Sequence, residues 1–206
     1  MSSIRSYACG TSDAPLLGLT IGDMLDRSAE RWPDNDALVV RHQGLRFTYR
    51  AFREAVDLCA RGLVALGLQR GERLAILSPN TAEWAILQFA TAKVGVVLVN
   101  INSSYRVHEL EYALRQSGSR ALATAARFKT SDYFEMVAEI APEIAECPPG
   151  ELSAARLPEL RTVVRLGDGA LPGSVGPIWL SPGCQSKPVP FGMAKQFWQL
   201  VPVFPG

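Results

Sequence analysis

The sequence lacks the features typical of membrane-spanning, secreted and nucleic-acid-binding proteins. Its longest apolar stretch, residues 94–99, is far shorter than the roughly 18 residues that a transmembrane helix needs. The amino-terminal region contains no apolar run of signal-peptide length. The 21 Lys and Arg against 20 Asp and Glu give a net charge of +1. This near-neutral balance argues against nucleic acid or an anionic membrane as an electrostatic partner.

Cysteine and histidine are also scarce. The four cysteines, Cys9, Cys59, Cys147 and Cys184, lie 50, 88 and 37 residues apart, which matches no zinc-binding or redox spacing. We expect reduced thiols in an intracellular compartment. The two histidines, His42 and His108, have no partner constellation that would make either a catalytic base, so both are expected at the surface.

Motifs that carry phosphate or hydrolytic chemistry are missing. The sequence has no G-x-x-x-x-G-K-[ST] loop, no G-x-S-x-G elbow and no H-E-x-x-H helix. Residues 167–172 resemble a dinucleotide-binding loop but lack its third glycine, so a plain turn is the better interpretation. We therefore predict no catalytic, cofactor-binding or metal-binding residue in this chain.

Glycine and proline are unevenly distributed. They make up 14 of the 40 residues from 167 to 206, against 17 in residues 1–166. Such a composition opposes regular structure, because proline removes backbone donors and glycine raises the entropy cost of ordering. We predict two regions: an α/β body over residues 1–174 and a poorly ordered tail over residues 175–206.

The body alternates between helical and strand patterns. Alternation with short connections predicts a layered α/β domain with a largely parallel sheet. The predicted helices begin at or near Thr20, Thr48, Thr81, Val107 and Asp132, and end near Arg31, Gly67, Gly95, Gln116 and Ile144. The predicted strands span 74–77, 96–99, 121–124 and 162–166, after a hairpin formed by 37–41 and 45–49.

Several side chains in these elements have predicted environments. Continuous apolar runs predict that strands 74–77 and 96–99 are covered on both faces. Val64 belongs to the apolar stripe of the second helix, and Trp84 is expected to pack inward. Tyr105 and Tyr112 suit a boundary between core and water.

Two segments carry a more specific signal. One spans residues 67–76 and continues with Ser-Pro-Asn-Thr-Ala-Glu-Trp at 78–84; the other spans 99–105 and continues with 109–114. In that order, after 36–40 and 47–49, they resemble the start of the AMP-forming acyl-CoA synthetase family, most closely its mitochondrial medium-chain branch. Residues 6–22, 128–130 and 157–160 extend the likeness, which covers about residues 6–174. Ser103 departs from the proline that is common in the family.

The resemblance implies the incomplete N-terminal part of the synthetase fold. The complete family member joins a fatty acid to coenzyme A, using ATP and Mg²⁺ and releasing AMP and pyrophosphate. The family's phosphate loop and adenylation lysine have no matching position here, so no site residue is carried over and no cofactor is expected for this chain. A truncated, inactive fragment is the leading hypothesis, with fatty acid a ligand only of the complete enzyme.

Two alternatives stay open. The chain is either a non-catalytic interaction module, with the full-length ligase or chaperones as partners, or an unrelated ligand-binding domain. The resemblance implies the mitochondrial matrix. Since residues 1–12 contain one arginine, too little for a transit peptide, a cytoplasmic location is expected if this start is the true amino terminus.

Overall fold

A computed structural model describes residues 16–167 and 169–176. Residues 1–15 and most of the predicted tail, 177–206, lie outside the described residues. The helices are α1 (Ile21–Arg31), α2 (Tyr49–Ala65), α3 (Ala82–Val94), α4 (Val107–Ser117) and α5 (Tyr133–Ile140). The strands are β1 (Asp36–Val40), β2 (Leu45–Thr48), β3 (Arg73–Leu77), β4 (Val97–Asn100), β5 (Ala121–Ala125), β6 (Arg127–Phe128), β7 (Ser131–Asp132) and β8 (Thr162–Leu166).

Local capping residues set most helix boundaries. The Thr20, Thr48 and Thr81 hydroxyls accept hydrogen bonds from backbone N–H groups in the first turns of α1, α2 and α3, which satisfies donors that a helix leaves free. Gly95 and Gly118 end α3 and α4 in the left-handed conformation, at φ of 74° and 57°, which is accessible to glycine without a Cβ penalty. The helix starts and stops predicted at these positions are confirmed.

The main sheet has four parallel strands in the order β4-β3-β5-β8. β1 and β2 form a separate antiparallel hairpin, as predicted. From β3 the chain moves outward to β4, then returns past β3 to β5 and continues to β8. Because parallel crossovers are right-handed, this reversal places α3 and α4 on opposite faces. The predicted layered α/β fold with a parallel sheet is confirmed.

Two apolar clusters cover the two faces, named here the first face and the second face. The first face is packed by α1, α2, α3 and the β1–β2 hairpin. The second face is packed by α4, α5 and the irregular segment between α5 and β8. Side chains alternate between the faces along β3: Leu74 and Ile76 enter the first, Ala75 and Leu77 the second. This is the period-two pattern of a strand buried on both sides.

The prediction that both strands 74–77 and 96–99 are fully covered is right for β3 and wrong for β4. Leu74 through Leu77 are fully buried, whereas Val97 is 50% exposed and Leu98 and Val99 are only half-buried. The sequence runs are equally apolar, but β4 lies at the edge of the sheet and β3 at its centre. Strand order decides this difference, and it cannot be read from composition.

Other predicted environments also need correction. Val64 is exposed on α2 and Tyr112 is 66% exposed, whereas Tyr105, at 37%, lies at the boundary between core and water as predicted. Trp84 is half-buried against the first face. The fifth helix ends at Ile140, where a 3₁₀ turn over Pro142–Ala145 replaces the predicted continuation to 144, because proline cannot donate within a helix.

The segment after β8 folds back onto the sheet. Val175 donates its N–H to Val163 O at 2.8 Å and accepts from Arg165 N at 2.9 Å. Gly173, at φ of 66°, packs so closely on the 3₁₀ turn after α5 that a Cβ would collide with Ile144 O. None of the helices in the described ranges is both long and apolar enough to cross a bilayer.

Candidate functional site

The strand order of the main sheet reverses between β3 and β5, and this point is a candidate ligand site. In open α/β sheets ligands bind outside the carboxyl ends of the strands at such a point. The chain leaves β3 through Ser78-Pro79-Asn80 and ends β5 at Thr124-Ala125, and neither segment contains a titratable residue. The Ser78 hydroxyl donates to Pro79 O and that of Thr124 to Ala125 O, both at 2.9 Å. Both hydroxyls therefore already donate to backbone carbonyl groups.

Charged groups at the same edge come from the loop after β4 and from the β6–β7 hairpin. Arg106 donates from Nη1 to Ser131 Oγ at 2.9 Å and from Nη2 to Thr130 Oγ1 at 3.3 Å. Arg127 pairs with Asp132 at 3.2 Å. The hairpin was not predicted; its turn holds Lys129 at φ of 52°, and no glycine marks that position. These contacts tie two loops together.

Tyr133 holds the loop after β4 in place through a hydrogen bond. Its phenol is buried and donates to Ser103 O at 2.6 Å. Burial raises the pKa of this phenol above its ordinary value, so Tyr133 stays protonated and donating at neutral pH. A phenol used in this way is a structural group that positions residues 101–106.

Two surface depressions lie along the outer face of α4. One, of about 210 Å³, lies between the end of α4 and residues 157–160. The other is a wide, shallow depression along His108, Glu111 and Tyr112. Glu111 pairs with Arg156, and this bond holds the pKa of its carboxyl below the ordinary value. Because Glu111 is already neutralised by an arginine, it is not poised as a proton acceptor.

The two histidines lie where the sequence predicted, and two of the four cysteines lie outside the described residues. His42 and His108 are exposed, as expected. Cys59 is fully buried, and burial raises the pKa of its thiol, so it is an unreactive core residue. Cys147 is half-buried and also free, while Cys9 and Cys184 lie outside the described residues. Gly167 forms a bend directly after β8, with φ of 76°.

The described residues do not fit ATP phosphates or Mg²⁺. Residues 16–167 and 169–176 contain no group of three or more His, Cys, Asp or Glu that could hold a metal ion. At the reversal of strand order, the Ser78 and Thr124 hydroxyls donate to their own backbone and no lysine or arginine belongs to either segment. The arrangement can support a ligand-binding edge but offers no assembled phosphate cradle.

Comparison with known proteins assigns the class. The family model described as AMP-binding enzyme matches residues 25–165, more than half of the chain, and includes every element of the main sheet except the last residue of β8. This chain belongs to the AMP-binding enzyme family, and the family resemblance predicted from the sequence is confirmed.

Individual relatives are acyl-CoA ligases. The chain is 39% identical over 170 residues to the mitochondrial medium-chain acyl-CoA ligase of Mus musculus, covering 82% of this chain and 28% of that protein. A putative long-chain-fatty-acid CoA ligase from Rhodopseudomonas palustris superposes with a TM-score of 0.63 at 25% identity, over 80% of this chain and 37% of the other.

A third match is to an N-terminal domain solved by itself. The inhibitor-bound N-terminal domain of FACL13 from Mycobacterium tuberculosis superposes with a TM-score of 0.59 at 28% identity, over 71% of this chain and 33% of the other. The chain spans little more than a quarter of the length of the mouse relative. The solved relatives confirm the N-terminal-domain fold of acyl-CoA ligases.

Proposed function

We propose that this chain supplies the amino-terminal sheet scaffold of an AMP-forming acyl-CoA ligase and has no ligase activity by itself. The complete reaction joins a fatty acid to coenzyme A, with ATP converted to AMP and pyrophosphate. The observation that carries the proposal is the combination of a family match over residues 25–165 with hydroxyls at the strand reversal that donate to their own backbone.

The proposed contribution of this region is positional. Leu74–Leu77 of β3 and residues 121–124 of β5 are buried and pair in parallel. The loops that follow these two strands therefore begin side by side at one edge of the sheet. Arg106 and Tyr133 then hold the loop after β4 against the β6–β7 hairpin. A rigid edge of this kind positions groups supplied by other parts of the polypeptide, since catalysis requires reacting atoms at defined separations.

The names of the relatives support a proposed substrate class and location. We infer a medium-chain fatty acid as the substrate of the complete enzyme, because the mouse relative is named a medium-chain acyl-CoA ligase. The mitochondrial matrix is the proposed location on the same ground. ATP, Mg²⁺ and coenzyme A are the proposed co-substrates and metal of the complete enzyme.

The absence of ligase activity is tested directly on the 206-residue chain. The purified chain is incubated with medium-chain fatty acid, ATP, Mg²⁺ and coenzyme A, and acyl-CoA and pyrophosphate are quantified, with the mouse ligase as the positive control. We expect no product and no saturable binding of ATP in calorimetry. Product above the enzyme-free background would contradict the scaffold assignment.

A chimera tests whether the scaffold belongs to a ligase. Residues 25–165 replace the corresponding residues of the mouse ligase, and acyl-CoA formation is measured. We expect measurable activity, whereas the same chimera with Leu122→Asp should lose it, because Leu122 is fully buried in β5. A folded chimera without activity would show that this sheet does not serve as a ligase scaffold.

A further inference from the structure

The two edge strands of the main sheet, β8 and β4, differ in their backbone pairing on the outer side. At β8, Val175 lies alongside Val164 and forms two backbone hydrogen bonds with the strand. At β4, no strand among residues 16–167 and 169–176 pairs with the outer side. The two edges therefore differ in whether a described residue covers them.

The register with β3 identifies the backbone groups of β4 that bond to no other described residue. Val97 and Ile101 donate their N–H groups to Glu72 and Ile76 of the inner neighbour, at 2.8 and 3.0 Å. Because alternate residues of a strand direct their backbone groups to opposite sides, the N–H and C=O groups of Leu98 and Asn100 point away from the sheet.

β4 also lacks the devices that keep an edge strand from pairing. Natural edges use lysine, proline, inward charges or bulges for this purpose. Residues 94–105 contain no charged residue and no proline, and the ladder between β3 and β4 runs without a bulge from Val97 to Asn100. Val97 adds an apolar side chain that is 50% exposed at the same edge.

We propose that this edge pairs with β4 of a second copy of the chain, antiparallel about a twofold axis through Val99, to form one continuous eight-stranded sheet. In this register Leu98 and Asn100 of one copy exchange hydrogen bonds with Asn100 and Leu98 of the other. Val99 lies opposite its own symmetry mate, and Val97 faces Ile101.

The absence of charge favours a second copy as the occupant. A twofold axis through Val99 sets residue 99 opposite its own equivalent and residues 98 and 100 diagonally from theirs, so a charge at any of these positions would lie near a like charge, which is destabilising. β4 contains none, and a net charge of +1 for the whole chain adds little long-range repulsion between copies.

Sedimentation equilibrium on the 206-residue chain tests the association, and hydrogen exchange tests its geometry. We expect a closed dimer whose dissociation constant rises at least tenfold in Val97→Lys, because the lysine charge would be buried against Ile101 of the other copy. The matched control is Val64→Lys, which changes a valine on α2 that is 40% exposed, and this variant should dimerise like the original chain. Circular dichroism checks that both variants fold.

Exchange rates give a readout that does not depend on a variant. The Leu98 and Asn100 amides should exchange quickly at low concentration and become protected as the dimer forms, while the Val97 and Ile101 amides stay protected throughout. A chain that remains monomeric, a dimer that survives Val97→Lys, or open-ended aggregates in place of a dimer would each overturn the proposal. So would protection of Leu98 and Asn100 in the monomer, which would mean that the chain covers this edge itself.

Discussion

The first and second faces of the sheet are equally well buried but are covered in different ways. Three regular helices and the β1–β2 hairpin cover the first face, and the helices contact one another as well as the sheet. The second face has two helices, and irregular residues between Ala141 and Leu160, together with Leu171, complete its cover. Regular helices satisfy their own backbone groups, whereas an irregular cover depends on individual contacts. We therefore expect the second face to open locally and the first to fail only with global unfolding.

An ion-pair cluster adds to the first face. Lys93 of α3 reaches Asp26 of α1 at 2.5 Å and Asp57 of α2 at 2.6 Å, and its own side chain is only 14% exposed. A Cβ on Gly22 would lie 2.8 Å from Lys93 Cγ, so the absence of a side chain there allows α1 to approach α3. One lysine thus joins three helices that lie far apart in the sequence.

The largest expected effect is on the first face, with Phe52→Ala. Phe52 is buried and packs edge-to-face on Phe47 and Phe89, with ring centroids 6.4 and 5.4 Å apart. Its loss should lower the free energy of unfolding by about 3–5 kcal/mol, measured by chemical denaturation. Phe134→Ala, at a half-buried phenylalanine of α5, is the control and should cost clearly less; equal losses would contradict the assigned burial.

Gly173→Ala should open the cover of the second face. The alanine would need the left-handed conformation and would collide with Ile144 O, at a cost of about 2 kcal/mol. We expect the Val175 amide, which is bonded to Val163 O, to lose hydrogen-exchange protection while amides of β3 keep theirs. The control is Gly150→Ala, also at positive φ but with no neighbouring atom near a Cβ. Loss of protection throughout the sheet would mean that the two faces open together.

Tyr133→Phe should remove one hydrogen bond without creating a cavity. The bond to Ser103 O is worth about 1 kcal/mol net, so the variant should be slightly less stable in denaturant, with faster exchange in residues 101–106. Tyr112→Phe is the matched control, because Tyr112 is exposed, and it should be neutral. An unchanged exchange rate in residues 101–106 would show that Tyr133 does not fix this loop.

The effect of Gly22→Ala on the free energy of unfolding should change sign with the residue at position 93. In the original chain the new Cβ would displace Lys93 from its aspartates, and we expect a loss of about 1 kcal/mol. In a Lys93→Ala background the collision disappears, and the helix preference for alanine over glycine should stabilise by about 0.5–1 kcal/mol. A double-mutant cycle in denaturant measures the difference, and strictly additive effects would contradict the close approach of α1 and α3.

The smallest effect concerns alkaline stability. Burial alone would lower the pKa of Lys93, but hydrogen bonds to Asp26 and Asp57 outweigh it and raise this pKa above the ordinary 10.5. The lysine's contribution is therefore fully present below pH 10.5 and is lost as the pH rises through the folded-state pKa. Since both aspartates are more than one-third exposed, solvent screening limits it to about 0.5–1 kcal/mol. Lys93→Met should lack this alkaline decline in its denaturation midpoint, and an identical decline in both proteins would rule out the assignment.

Sequence reasoning worked best where a backbone requirement is local. Thr20, Thr48 and Thr81 cap helices, and Gly95 and Gly118 end them, because the atoms involved lie within one helical turn. The family resemblance was equally accessible, since it depends on short motifs in order. The β6–β7 hairpin was missed because its left-handed turn residue is Lys129, a residue type that gives no turn signal.

The candidate site was predictable only as a set of residue types. No sequence pattern indicates that Arg106 lies on Thr130 and Ser131, or that Arg73 donates to Ser117 O and Gly118 O at the end of α4, at 2.8 and 2.6 Å. These partners are separated by 24 to 45 residues and meet only because the strand order brings their loops together. The contacts of Arg106 lie at the carboxyl ends of the strands and those of Arg73 at the amino ends.

The sequence by itself determined most of the helix caps, that the sheet is largely parallel, and which family the chain belongs to. The tertiary structure decided which apolar strand is central and which is exposed. β3 and β4 have similar compositions, yet Leu74–Leu77 are fully buried while Val97 is half in solvent. The physical reason is that burial of a strand depends on neighbours brought from distant parts of the chain, and the reversal of direction after β4 leaves that strand at the edge.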